Sequence, residues 1–351
     1  MGKQKSIKAA VIGCGRIGAF TKRVAGEISP ASEFPVNHCA AIRAAPGVEL
    51  IAVCDLNLEL AQKAGQSHKV KNIYTDFKKM IAEQSPDIIT IATRTAERPD
   101  IIIYAANHGI KGMHIEKPLA INLADAKKAV RALQKNRVAI SYGAVRRYSS
   151  VYQQTKKIIQ SGRLGKLNRI IIEFGKSSLM WTHPHSVDLV NYFADNSEVA
   201  YAQSSFKFNK KDVNNKKIDL DPVLDFGLVK FKNGVSGLIT DRDGRNTGLI
   251  CERGEIWIMS DGRSLRLKDN NGKIRNIKIK KGLSGTITAI SELRESLARK
   301  KPTSITAEEI LKEQRILMAL GYSGIYNSRK TALQDIDDNF TITGRTGNLY
   351  A

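Results

Sequence analysis

The sequence predicts a doubly wound α/β domain with a parallel sheet, followed by an α+β domain whose large sheet is mostly antiparallel. Three observations carry this. The chain has 351 residues, which at roughly 100–200 residues per domain makes about two domains. Up to about residue 145, short apolar runs alternate with amphipathic segments, the pattern of strands and crossover helices. From Leu167 onward the runs become β-rich and are punctuated by Asn-Gly and Asp-Gly pairs, as hairpins are.

The elements follow in order. Ile7–Ile12, Val48–Asp55, Asp87–Ala92 and Gly112–Ile115 are apolar without alternation, as strands covered on both faces are. Leu58–Ala64, Asp76–Gln84 and Arg98–His108 have helical spacing, and Gly109 follows the last as a cap. Asn122–Lys135 predicts another helix, Val138–Tyr142 another strand, and Tyr152–Gly162 a helix ending in Ser161-Gly162. Ile170–Phe174, Val223–Phe231, Val235–Thr240 and Glu255–Met259 predict the second sheet, with turns at Asn233-Gly234, Asp261-Gly262 and Asn271-Gly272. Pro184–Phe193, Thr286–Arg299 and Ala307–Tyr322 are helical, on one side of that sheet. The expected division is residues 1–122 for the first domain, with its last helix and strand running to about 145. Residues 146–330 form the second, and 331–351 a polar tail wrapping the surface. No repeat of 20–50 residues is present.

Composition narrows the class. With 42% hydrophobic and 26% charged residues, 27 Gly and 9 Pro, the chain is neither collagen-like nor disordered. No apolar run approaches the ~18–20 residues that span a bilayer. The basic Met1–Lys8 stretch leads into only six apolar residues, too few for a secretory signal. A soluble, cytoplasmic protein without membrane partners is expected. The four cysteines, Cys14, Cys39, Cys54 and Cys251, form no C-x-x-C pair, so neither a disulfide framework nor a cysteine-based zinc site is expected, and no metal is assigned. The net charge of +22 is concentrated late. Residues 1–120 hold 16 Lys+Arg against 11 Asp+Glu, the remainder 40 against 23. Such a surface attracts anions, but its lysines lack aromatic interleaving, so a solvated basic face or an anionic substrate is expected before nucleic acid.

Gly13-Cys14-Gly15-Arg16-Ile17-Gly18 is a G-x-G-x-x-G turn directly after the first strand. Its glycines permit a tight turn, close approach to a pyrophosphate and helix–strand packing, and the helix start that follows offers N–H groups to phosphate. Gly13, Gly15, Arg16, Ile17 and Gly18 are therefore candidate dinucleotide-binding residues, the Rossmann fingerprint. Asp55, closing the strand Val48–Asp55, suits the ribose hydroxyls of NAD and repels the 2′-phosphate of NADP, so NAD is the expected cofactor. It lies 37 residues beyond Gly18 rather than the usual ~20, which implies an insertion around 25–37 carrying Pro30 and Pro35. Thr93, after the strand Asp87–Ala92, and Glu116, after Gly112–Ile115, complete the cofactor set at strand carboxyl ends. Lys117, beside Glu116 and before Pro118, is a candidate acid/base, able to hydrogen-bond a substrate hydroxyl.

A second constellation is Trp181-Thr182-His183-Pro184-His185-Ser186-Val187-Asp188. Pro184 suits a first helical turn, and His185 and Asp188 then share one face. The positive helix end disfavours imidazolium, so His185 is expected neutral and ready to accept a proton.

Together these residues resemble the Gfo/Idh/MocA family of NAD(P)-dependent oxidoreductases, which includes inositol dehydrogenases and glucose–fructose oxidoreductase. The resemblance rests on Gly13–Gly18, Asp55, Glu116-Lys117-Pro118, Arg146-Arg147, Gly162-Arg163-Leu164-Gly165 and the helix with His185 and Asp188. It implies an α/β Rossmann domain followed by an α+β domain with a large, mostly antiparallel open sheet, through which a homodimer or homotetramer forms. It also implies hydride transfer at a sugar or cyclitol carbinol, with Lys117 and His185 catalytic. Many members carry an aspartate four residues before that histidine, where this chain has Trp181. The proton relay is then expected through Asp188 or His183, and the indole face can stack on a sugar ring. Arg147, Trp181 and His183 are the expected substrate-binding residues. The functional expectation is an NAD-dependent oxidoreductase acting on a secondary hydroxyl or keto group of a sugar, including nucleotide-linked sugars and sugar acids. The alternative is a non-catalytic dinucleotide-binding sensor or nucleic-acid-associated protein on the same fold; dihydrodiol- or biliverdin-type reduction is more distant.

Overall fold

The computed structural model describes residues 6–24, 29–214 and 216–344. The first sheet comprises β1 (Ile7–Ile12), β2 (Val48–Cys54), β3 (Asn72–Tyr74), β4 (Ile88–Ile91), β5 (Gly112–Ile115) and β6 (Ala139–Tyr142). All pairings are parallel, in the spatial order β3-β2-β1-β4-β5-β6. That order reverses between β1 and β4, which places the ligand crevice of such a sheet outside their carboxyl ends. Period-two alternation splits β1 between two cores. Ala9 and Val11 join Ile42, Val53 and Ala64, while Ala10 and Ile12 join Ile89, Ile91, Ile102 and Met113 on the other face.

The helices form where their caps allow. They are α1 (His38–Ala44), α2 (Leu58–His68), α3 (Phe77–Gln84), α4 (Arg98–Asn107), α5 (Leu123–Lys135) and α6 (Ser150–Gln160). Asn37, Asn57, Asp76 and Asn122 each accept a backbone N–H in the first turn of α1, α2, α3 and α5. The structure corrects the expected helix after the glycine turn. Arg16–Phe20 form only a single five-residue π-type turn, and Thr21 leaves it in extended conformation. The helical position is resumed by α1, so the surplus before Asp55 is a loop spliced between two short helical pieces. Of that insertion, residues 25–28 lie outside the described residues.

The second sheet comprises β7 (Leu167–Glu173), β8 (Val199–Phe206), β11 (Leu224–Phe231), β12 (Ser236–Thr240), β13 (Asn246–Cys251), β14 (Gly254–Met259), β15 (Ser264–Asp269) and β16 (Ile274–Ile277). Its order is β16-β15-β14-β13-β7-β12-β11-β8, antiparallel throughout except where β7 pairs with β12. Helix α7 (His183–Phe193) lies on this sheet, close to β12, where a Cβ on Gly237 would stand 2.3 Å from Val190. A third, small sheet joins β9 (Val213–Asn214), β10 (Lys217–Ile218) and β17 (Thr341–Ile342).

Two long helices follow. The first, α8 (Gly285–Arg299), returns to the parallel sheet, packing on β5, β6 and α1 with Ile287, Ile290 and Leu293 in that core. The second, α9 (Ala307–Ile325), is capped by a Thr306–Glu309 capping box and packs on β8, α5 and α7. The tail is less polar in effect than its composition suggests. Ile336, Phe340 and Ile342 are buried in the second core, and Asp338 pairs with Lys127 of α5. The tail residues from 345 on lie outside the described residues. Among the described residues no helix is long and apolar enough to cross a membrane.

Candidate active site

The glycine turn fits against the end of β4. Gly13 leaves β1 at φ +92°, and a Cβ there would stand 2.7 Å from the Ala92 carbonyl. At Gly18 a Cβ would lie 1.9 Å from the Gly13 oxygen, so both positions need glycine for steric reasons. Gly15 is the opposite case: a Cβ would meet nothing within 4 Å, so its outer side is open for a group to approach the backbone. Arg16 is exposed there and Ile17 half-buried. Asp55 stands at the foot of this turn. Its Oδ2 accepts the Cys14 N–H at 2.6 Å and its Oδ1 the Asn57 N–H at 2.8 Å. Each oxygen keeps a second lone pair for a ligand hydroxyl.

Thr93 and Lys117 sit on neighbouring loops held by a residue the sequence reading missed. Buried Arg98 donates to the Thr93 carbonyl at 2.5 Å and to the Pro118 carbonyl, tying the loop after β4 to the loop after β5. In sequence Arg98 is only the polar start of an amphipathic helix, and nothing local marks it. Glu116 is buried below Lys117, its Oε2 accepting the Lys117 N–H at 3.1 Å and its Oε1 standing 3.2 Å from His38 Nε2. Gly143, after β6, leaves the room, since a Cβ there would lie 2.6 Å from the Glu116 carboxyl carbon. Burial raises the Glu116 pKa, but the His38 hydrogen bond and the His38, Lys117 and His114 charges prevail and hold it at about 2.

The Lys117 Nζ donates to the Trp181 carbonyl at 2.5 Å and lies 4.8 Å from the centre of the Trp181 ring. Burial lowers its pKa, helped by Arg98 and Arg146 and opposed by Glu116 and Asp221, to about 8. The bond to the Trp181 carbonyl joins the loop after β5 to the segment before α7, whose first turn holds His185. Burial, with Lys117, Arg146 and Arg245 added, keeps its imidazole neutral, well below the usual histidine range. Its Nδ1 is buried without a hydrogen-bond partner among the described residues. Trp181, 45% exposed, borders the same place.

Three expected site residues are drawn elsewhere. Asp188 and Arg147 are 0% and 2% exposed and bond to each other at 2.6 Å, while Arg147 also holds Glu313 of α9 at 3.0 Å. Asp188 thus lies in a buried ion pair, and Arg147 is bonded to two carboxylates. The cause is α9, whose Glu313 lies 166 residues further on. His183 is buried as well, its Nδ1 3.0 Å from Ser186 Oγ within α7, and burial lowers its pKa to about 4. Arg146 is gripped by Asp261 through two bonds, at 2.7 and 2.9 Å. The loop before α1 reaches this pair, Ser29 donating to Asp261 at 2.6 Å.

A parallel sheet in this strand order, with a glycine turn at its switch point and an acid directly after β2, is the arrangement of a dinucleotide-binding Rossmann domain. Residues 7–144 match the family model described as an oxidoreductase family with an NAD-binding Rossmann fold, GFO_IDH_MocA. Inositol 2-dehydrogenase of Salmonella typhimurium is 30% identical over 164 residues, which are 46% of this chain and 44% of that protein. D-apiose dehydrogenase of Paraburkholderia graminis is 29% identical over 161 residues, 46% and 38% of the two chains. The match thus spans less than half the length of these relatives. Among solved structures, an oxidoreductase from Agrobacterium radiobacter in complex with NAD+, L-tartaric acid and magnesium superposes with a TM-score of 0.76 at 20% identity, covering 95% of this chain and all of that one. The Caulobacter crescentus aldose-aldose oxidoreductase gives 0.77 at 15% identity, over 93% of this chain and all of that one. At these identities the likeness is one of fold, and it extends through both sheets.

Proposed function

We propose that the chain is an NAD-linked dehydrogenase acting on a secondary alcohol of a sugar or polyol. The observation that carries this reading is the bond from Lys117, after β5, to the Trp181 carbonyl just ahead of α7, whose first turn holds His185, at the carboxyl edge of the parallel sheet. Gly13, Gly15, Gly18, Asp55 and Thr93 would hold the dinucleotide, and the open side of Gly15 fits a pyrophosphate. Asp55 favours NAD, because a second negative charge at the ribose 2′-position would face its carboxylate. Bound NAD+ supplies the hydride acceptor. Lys117 donates a hydrogen bond to the substrate oxygen and fixes its place, and His185 accepts the hydroxyl proton as the carbinol is oxidised. Trp181 offers its exposed face to the sugar ring.

The division of the chain into dinucleotide and substrate units belongs to this proposal, as does assembly through the open face of the eight-stranded sheet. The finer expectation, an anionic sugar, finds Arg146 and Arg147 already paired with carboxylates. Arg245 also lies 3.8 Å from Asp261, but its side chain is 42% exposed, so of the three it is the one a substrate carboxylate or phosphate could approach. A substrate panel of neutral polyols, sugar acids and nucleotide-linked sugars distinguishes these classes. The mechanism itself is tested with Lys117→Ala, for which kcat falls by about 10²–10⁴ while the Kd for NAD changes little. Wild-type turnover in that variant removes Lys117 from the chemistry. Failure of every polyol to reduce NAD, together with a salt-sensitive shift of random DNA, would favour the non-catalytic alternative.

A further inference from the structure

We propose that His38, His114 and Glu116 form a divalent transition-metal site, of the kind zinc occupies, buried beneath the loop that carries Lys117. Strand geometry brings the ligands together. His114 and Glu116 are two residues apart at the end of β5 and so point to one face of the sheet. His38, the first residue of α1 behind its Asn37 cap, comes down onto that face. One ligand atom from each of the three lies within 4.8 Å of the others, and all three residues are buried.

The hydrogen bonding leaves ligand atoms available. His114 uses Nδ1 toward Ser141 Oγ at 2.9 Å, which leaves its Nε2 for a ligand, and that atom has no partner among the described residues. An outer hydroxyl that fixes one ring nitrogen while the other faces a metal is the usual second layer of a histidine ligand. His38 Nδ1 is likewise buried without a partner. The two rings meet edge to face, their centres 4.8 Å apart. Three polar groups buried side by side, with His114 Nε2 left without a partner among the described residues, cost stability unless something coordinates them. Two imidazoles and one carboxylate are an accepted ligand set for zinc, with a fourth position left open. Ligands about 2.0–2.2 Å from a tetrahedral ion stand about 3.4 Å apart. The His38 Nε2 to Glu116 Oε1 separation is already 3.2 Å. Small side-chain rotations shared by the ligands would close the rest. The site supplies one negative charge, and the nearby Lys117 and Arg98 oppose a cation. Affinity is therefore expected below that of closed four-cysteine sites, while nickel-like or zinc-like ions outcompete magnesium because two ligands are nitrogen.

The test uses full-length protein stripped with chelator, incubated with ZnCl2 or CoCl2 and desalted. Wild type is expected to retain about one ion per chain, the cobalt form to show visible ligand-field bands, and zinc to raise the Tm. His114→Gln, checked for folding by circular dichroism, is expected to lose the retained ion and the Tm response. No retained ion in wild type, or equal retention in His114→Gln, overturns the proposal. So does a sulfur-to-cobalt charge-transfer band, which would assign the ion to buried Cys39 or its neighbours. Should His114→Gln fail to fold, the wild-type cobalt spectrum and His38→Gln decide the matter. None of these readouts uses turnover, so the result is independent of the dehydrogenase proposal.

Discussion

Replacing Arg147 by methionine tests whether the ion pair under α7 is structural. The substitution keeps a long stem but removes the cation bonded to both Asp188 and Glu313, which are 0% and 1% exposed. Breaking a buried pair by deleting one partner costs about 3–5 kcal/mol, because the remaining charge has neither water nor counterion. Both carboxyls lose their guanidinium here, so the loss should fall in that range, with some relief as they take up protons. The companion variant is Glu313→Gln. Burial and the adjacent Asp188 push the Glu313 carboxyl well above its usual range, so the folded state favours its protonated form, which the amide imitates. The native state therefore binds a proton that the unfolded chain releases above about pH 4.5. Wild type then loses stability as pH rises from there toward the raised native value, whereas the glutamine variant is spared this loss. Urea denaturation followed by circular dichroism at pH 5, 7 and 8 reads both effects. Arg147→Met should shift the midpoint strongly downward at every pH, and Glu313→Gln should stay within about 1 kcal/mol of wild type at pH 5 and gain on it by pH 8. A loss below about 1 kcal/mol for Arg147→Met, with turnover abolished, would refute the reasoning and return Arg147 to the substrate site.

Two further outcomes follow from the site. Gly143→Ala should lower the Tm and displace Glu116, because the new methyl would stand 2.6 Å from the carboxyl carbon; thermal melts and zinc retention read both effects, and an unchanged melt contradicts the packing. Asp55→Asn keeps an acceptor for the Cys14 N–H while removing the charge, so the NADP-to-NAD ratio of kcat/KM should rise about tenfold or more; an unchanged ratio means the carboxylate does not face the ribose.

What was legible in the sequence was local. β1, the glycine turn and Asp55 could be placed because their information lies in runs of a few residues, and the structure puts them at one switch point. Lys117 and His185 read in the sequence as separate motifs, each with its own proline beside it. What could not be read is which polar residues would be pulled inward by elements far along the chain. Arg146 and Arg147 look alike in sequence, yet one is claimed by Asp261 and the other by Asp188 and Glu313. His38 and His114 fell outside every spacing rule, since their nearness comes from α1 docking on β5 across 76 residues. Helix α8 reads as a helix of the second domain by its position, and only the apolar stripe of Ile287, Ile290 and Leu293 against β1 and α1 shows where it packs.

The surplus between Gly18 and Asp55 acquires a physical role from the same bonds. The part from residue 29 to Asn37 bonds to residues far along the chain. Ser29 donates to Asp261, Ser149 donates to Glu33, and the Pro35 and Val36 carbonyls accept from Ser284 and Thr286. Asp261 in turn holds Arg146, whose charge is among those that depress the basicity of Lys117 and His185. An insertion of arbitrary length on a sheet edge would add closure entropy and little else. This one spends its polar groups on positioning the carboxylate behind Arg146 and ends by presenting His38 to Glu116. The loop that breaks the usual fingerprint spacing is thereby bonded to both layers of side chains beneath Lys117.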